Sequence, residues 1–356
     1  MAERVAPVTR DAAAPARASL GPSWRWLAGA AGALVAALLA GLAMGPAGIP
    51  ADAIVSDVAS RLPFLDAGTR LENLQATVLW EIRAPRVALG ALVGGMLALA
   101  GGSYQAVFHN PLADPYLLGV AAGAGLGATV AIAYAGAGTS LLPVAAFAGA
   151  VLAVAAAYAL GRSVGITNRA ALVLAGVAVA AFLTAIQTFV LQQNAETVRS
   201  VYAWLLGRLS TSGWGDVLMV LPYIALSAVT ILAYRRVLDV LRVGDEEAAT
   251  LGVAVTRVRL LVVIAATLGT AAAVSVSGLI GFVGILVPHA VRLLAGGAYR
   301  VVLPLSAMFG AVFLVVADIA ARTVLSPAEL PIGVVTACIG APFFAVVLRT
   351  TRTVAP

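Results

Sequence analysis

Apolar residues in this chain come in long unbroken runs, not in the alternating or one-sided patterns of a water-soluble fold. Such runs occupy about 26–44, 87–107, 117–134, 141–160, 171–191, 217–234, 303–321 and 332–348. Each comes close to the roughly 20 residues that one helical crossing of a bilayer needs. The separators carry helix-ending chemistry: HNPLADP at 109–115, GAGTS at 136–140, GRSVGITNR at 161–169 and NAETVRS at 194–200. One further run, 260–291, is too long for a single span and short for two, reaching about 48 Å as a helix. Arginine placement decides between them. Arg235, Arg236, Arg242, Arg257 and Arg259 precede the run, and Arg292 and Arg300 follow it. Arginine collects in cytoplasmic loops, so both ends lie on one side. The run therefore reads as a hairpin of two short helices, broken among Gly278, Gly281 and Gly284.

The pattern predicts an all-α integral membrane protein of ten transmembrane helices. With both termini cytoplasmic, fifteen arginines fall in inner segments and seven in outer ones, which favours that orientation. Residues 1–23, rich in Ala, Pro and Arg, read as a disordered cytoplasmic tail. The ten-helix transmembrane unit is 24–350, and 351–356 form a second short cytoplasmic tail. The first run is about 19 residues, beyond the 7–15 of a signal-peptide core, and reads as a retained span. Residues 45–82 are more polar and read as an extramembrane segment with a short surface helix.

Composition narrows the function. Of 356 residues, 62% are apolar and 11% charged. That leaves no room for a soluble catalytic domain and excludes a nucleic-acid-binding module or a disordered chain. All 22 basic residues are Arg, and the net charge of +6 is the sorting signal of a membrane chain, not a nucleic-acid footprint. One cysteine, Cys338, excludes an intramolecular disulfide and a Cys-based metal cluster. No metal-ligand spacing, nucleophile motif or phosphate-binding loop is present, so no catalytic residue and no metal site are expected. A self-sufficient ion-coupled carrier places carboxylates or His mid-membrane and shows inverted repeats. A membrane-embedded enzyme gathers reactive groups at one depth. Neither pattern is visible. Asp318 and Arg322, one helical turn apart, read as a structural pair near an interface. GALVGG (90–95) and GAGLGA (123–128) lie within spans and read as close-packing surfaces, not as dinucleotide fingerprints.

The loop 241–259 is the most informative polar stretch. Asp245, Glu246 and Glu247 fill the first turn of a short helix, where the helix dipole favours acids, and Gly252 supplies its stop. Such a helix fits a partner's groove; by physics alone it is equally a solvated loop.

Several blocks then fit one family. They are R-x-P-R at 83–86, QAVFHNPLADPYLLG at 105–119, LAGVA at 174–178 and E-A-A-x-x-G at 247–252. SGLIGFVGILVPHAVR at 277–292 and ELPIGVVTACIGAPFF at 329–344 complete the set. In order, over about 80–350, the chain resembles the permease family of type II ABC importers for iron chelates, haem and cobalamin. The resemblance implies a homodimer with a second copy of the chain, surrounded by the lipid of a bacterial cytoplasmic membrane. It implies two ABC ATPase subunits that hold ATP and Mg, no cofactor on this chain, and an extracytoplasmic substrate-binding protein. A ferric siderophore is the first expected cargo, with cobalamin or haem as alternatives.

The resemblance also assigns residues. Arg83, Arg86 and Arg322 would receive acidic residues of the binding protein; the alternative is anchoring at the lipid interface. Reversing Arg83 and Arg86 to Glu is expected to weaken docking without preventing assembly. Asn110, Pro111 and Leu112, with Thr167 and Asn168, would border a cytoplasmic gate, although Asn and Pro are also plain turn formers. Gln187 and Thr188 would face the translocation path or else bond to a neighbouring helix. Asp245, Glu246, Glu247 and Gly252 would form the ATPase-coupling surface.

Overall fold

The computed structural model describes residues 24–45, 49–60, 71–136, 138–163, 169–209 and 213–352. Among these every regular element is helical. The expected tail 1–23, together with Thr167, Asn168 and residues 353–356, lies outside the described residues.

The order is α1 (Trp24–Ala43), α2 (Ala51–Ser60), α3 (Asn73–Thr77), a π-helical turn (Val78–Arg83), α4 (Ala84–Phe108), α5 (Val120–Ala135), α6 (Leu141–Ser163) and α7 (Arg169–Gln193). It continues with α8 (Val198–Leu205), α9 (Trp214–Val240), α10 (Asp245–Thr250), α11 (Val255–Ser277), α12 (Val283–Ala295), α13 (Tyr299–Thr323) and α14 (Ile332–Arg352). Seven helices are long and apolar enough to cross a membrane, and α5, α12 and α14 are shorter apolar ones. These are the ten spans the pattern predicts. The 260–291 hairpin is α11 and α12, broken at 278–282, with Gly278 and Phe282 at φ +68° and +69°. Gly284 belongs to α12 instead of the break.

The polar segment before α4 differs from expectation in one respect. Helix begins at Asn73 and runs without interruption to Phe108. Pro85 does not stop it, because the widened π turn just before it makes room for the ring, and the Trp80 carbonyl in that turn accepts from the Trp214 indole N–H at 2.8 Å instead.

Helix α4 is the core: from Val93 onward nearly every residue is buried, packed by α13, α12, α11 and α9. In lipid there is no hydrophobic drive between helices, so close van der Waals fit must hold them. Glycines supply that fit. A Cβ on Gly94 would collide with the Gly310 carbonyl of α13, and one on Gly101 with the Gly284 carbonyl of α12. Gly123 and Gly127 meet Gly149 and Ala145 of α6 in the same way. Helices α7 and α14 lie at the edge and expose much of their surface.

Candidate functional site

Three features stand out along the bundle. The first is a buried charge network where α1 ends. Asp318 of α13 lies 2.9 Å from both Arg86 of α4 and Arg322 of its own helix. Arg86 also grips Glu329 with two parallel bonds of 2.9 Å. Arg322 donates to the carbonyls of Gly41 and Met44 at 3.2 and 3.0 Å, and Arg83 to those of Leu42 and Ala43 at 2.9 and 3.1 Å. These are the last carbonyls of α1, which lack partners within the helix and carry its negative pole. Arg83 and Arg322 are 4% and 5% exposed, so of the three arginines only Arg86 reaches the rim. There its fork holds the Glu329 carboxyl below the usual range for a glutamate.

The second feature is a backbone junction between three segments. Segment 206–208, which follows α8, bonds to two helix ends at once. Arg208 N–H donates to Ser277 O at 2.8 Å, and Gly207 and Leu206 O accept from Ile332 and Gly333 N–H at 3.1 and 3.0 Å. From the opposite side the loop 109–119 reaches the same break. Tyr116 OH donates to Ile280 O at 3.1 Å, and Gln105 donates to Gly284 O at 3.2 Å. An apolar cavity of about 700 Å³ opens beside the junction, lined by Leu205, Leu279, Phe282, Val334, Ala337 and Pro342 among others.

The third feature is α10, at the opposite end from the charge network. Its Asp245 is bound by Arg259 of α11 at 2.9 and 3.0 Å, and Ala248 is fully buried. Glu246, Glu247, Ala249 and Leu251 remain exposed. Gly252, at φ +82°, ends the helix, its N–H donating to Ala249 O at 2.9 Å. The result is a short acidic knob fixed by one side and presented by the other.

The remaining predicted residues fall as follows. Asn110 Oδ1 accepts from Leu112 N–H at 2.9 Å, closing an exposed turn with Pro111. The neighbouring Asp114 makes a second such turn with Tyr116 N–H at 2.7 Å, and burial pushes its carboxyl up to about 6. Gln187 and Thr188 diverge. Gln187 is buried against Gly125 of α5, whereas Thr188 is exposed and bonded to Thr184 O of its own helix. Among the described residues no group of three or more His, Cys, Asp or Glu converges as a metal site would require.

Comparison with known proteins decides the kinship. The FecCD transport family matches residues 33–350. The chain belongs to the FecCD transport family. One relative, the cobalamin import system permease BtuC of Halobacterium salinarum, is 45% identical over 76% of this chain and 73% of its own. The Fe(3+) dicitrate permease FecD of Escherichia coli is 38% identical over 75% and 83%. A solved structure described as an inward-facing metal-chelate type ABC transporter superposes with a TM-score of 0.79. It is 29% identical and covers 92% of this chain and all of its own. This FecCD-family chain is thus a multi-pass ABC transporter permease.

Sequence reasoning missed two elements of this FecCD-type site. Helix α8 was hidden because Arg199 and the polar stretch before it read as a plain loop. Asp239, whose carboxylate accepts from the first N–H groups of α13, at Tyr299 and Arg300, gave no signal because its partner lies sixty residues on.

Proposed function

We propose that this chain is the membrane permease of an ATP-driven importer in the cytoplasmic membrane and that it moves a metal chelate, with a ferric siderophore as cargo. The observation that carries the reading is α10. It is an acidic helix with an exposed face, anchored by the Asp245–Arg259 pair directly to the first turns of α11. A push on that knob is delivered to α11 and through the break to α12. ATP binding and hydrolysis in partner subunits would supply the push, so this chain performs no covalent chemistry of its own. The large apolar cavity beside Phe282 suits a bulky cargo better than a small hydrated ion, and we assign it to the wall of the path between two copies. Thr188 belongs to the same exposed side in this reading; Gln187 sets the fit of α7 on α5.

At the other end the exposed acid Glu329 and the rim of Arg86 form the surface offered to a binding protein. Arg83 and Arg322 act beneath it by fixing α1. The double reversal of Arg83 and Arg86 is therefore not a clean docking test, because a carboxylate at 83 would face two carbonyls. The turn at Asn110, Pro111 and Leu112 fits the rim of a gate that closes on the α10 side.

A second reading, cobalamin as cargo, is favoured by the relative from Halobacterium salinarum. Uptake separates the two. In cells with and without this gene, loss of labelled ferric siderophore uptake alone supports the first reading, and loss of labelled cobalamin uptake alone replaces the cargo. Transport of either by the purified chain without an ATPase subunit would overturn the importer assignment.

A further inference from the structure

A groove on the flank of the bundle has the two-part chemistry of a phospholipid. It runs between α6 and α11, away from the cavity lined by α8, α12 and α14. Its floor is made by small side chains, Ala155 and Ala159, set against buried Val154 and Val263. The cavity is about 420 Å³ and almost wholly apolar, because its one buried hydroxyl, Thr267, is already bonded to Tyr104 at 2.9 Å. The flanks are exposed aliphatic groups, Val151 and Ile264, of the kind that lie against acyl chains.

The α10 end of this groove changes character. It opens past Tyr158 into a second cavity of about 290 Å³ that includes Thr256 and Arg259. An exposed arginine of the groove lining, Arg162, stands at this mouth and has no ion-pair partner among the described residues. The Nε of Arg259 is buried without a hydrogen-bond acceptor. The acid present, Asp245, is neutralised by the other side of the same guanidinium. Positive charge, orphan donor and apolar trough therefore lie in line along one helix pair.

We propose that this groove binds one anionic phospholipid, with an acyl chain along Ala155 and Ala159 and the headgroup phosphate between Arg162 and Arg259. The site shares Arg259 with the anchor of α10, so its occupancy would brace the root of that helix. Native mass spectrometry of the full chain in detergent tests it, with phosphatidylglycerol and phosphatidylcholine of identical acyl chains. Wild type is expected to retain phosphatidylglycerol at least about fivefold over phosphatidylcholine, the factor equivalent to roughly 1 kcal/mol for one basic residue near a lipid surface. Arg162→Gln should abolish that preference and Arg162→Lys restore it. Ala159→Trp should remove both lipids by filling the trough. Size-exclusion profiles identical to wild type would show that the variants fold. Equal retention of the two lipids by wild type, or a preference unmoved by Arg162→Gln, would overturn the proposal. So would an intermolecular disulfide formed in membranes by Ala155→Cys in a Cys338→Ser background, which would place a second copy in the groove.

Discussion

At the scale of single residues, Asp318 holds the most consequential position. It is 2% exposed and is the carboxylate on which Arg86 and Arg322 converge. Buried charges are tolerated only when paired, and removing one partner leaves the desolvation penalty uncompensated. Asp318→Asn keeps the shape and removes the charge. The variant is expected to lose about 3 kcal/mol of stability, read as a lowered thermal midpoint in detergent. An unchanged midpoint would mean that the arginines need no internal counter-charge. The pairing of Asp318 with Arg322 was legible from their spacing of one turn. The role of Arg83 and Arg322 as caps for α1 was not, because it depends on where a helix some forty residues away in one case, and nearly three hundred in the other, happens to end.

At the scale of elements, two short polar segments carry the testable content. The loop 109–119 contains Asp114, whose carboxyl is raised to about 6 by burial. A carboxyl raised on folding makes the folded state bind protons more tightly than the unfolded one. Its contribution is therefore present at low pH and is lost as pH rises through about 6. The thermal midpoint should rise as pH falls from 7.5 to 5, and Asp114→Asn should flatten that slope. A variant with the wild-type slope would place the titration elsewhere. Glu329 works in the opposite sense: its carboxyl is held low by Arg86, so its contribution fades only as pH falls below the ordinary glutamate range. The second segment is α10. Glu247 is exposed, so Glu247→Arg leaves the fold intact while reversing the sign of the knob. ATP-driven uptake in reconstituted vesicles with the partner subunits is expected to fall at least tenfold. Wild-type uptake would remove α10 from the coupling surface.

At the scale of the whole molecule, most of the architecture was readable because the bilayer enforces it. Long apolar runs and the side on which arginine gathers leave few alternatives, and even the awkward hairpin of α11 and α12 followed from charge at its two ends. The glycine runs were legible as contact surfaces, and Gly94 and Gly123 lie at helix crossings. Three-dimensional re-entry was not legible. Segment 206–208 folds back to join Ser277, Ile332 and Gly333, and that junction is made by backbone groups that every residue possesses. No side-chain pattern could announce it. Core packing yields a further prediction. Gly101→Leu would drive a side chain into the backbone of α12, and fluorescence-detected size exclusion should recover no monodisperse protein. Full recovery would show that α12 can move away from α4.

That last contact also sets a division of labour. Where two backbones touch through glycine there is no layer of rotatable side chains to absorb sliding, so α4, α12 and α13 behave as one stiff frame. A transport cycle still has to change shape somewhere. In the function proposed above the frame shifts as one piece when α10 is pushed, and relative displacement falls to α14 at the edge, which is the most lightly packed span on the rest of the single chain. The permease is in this sense built like a hull, with a keel that stays straight so that the planks beside it can part.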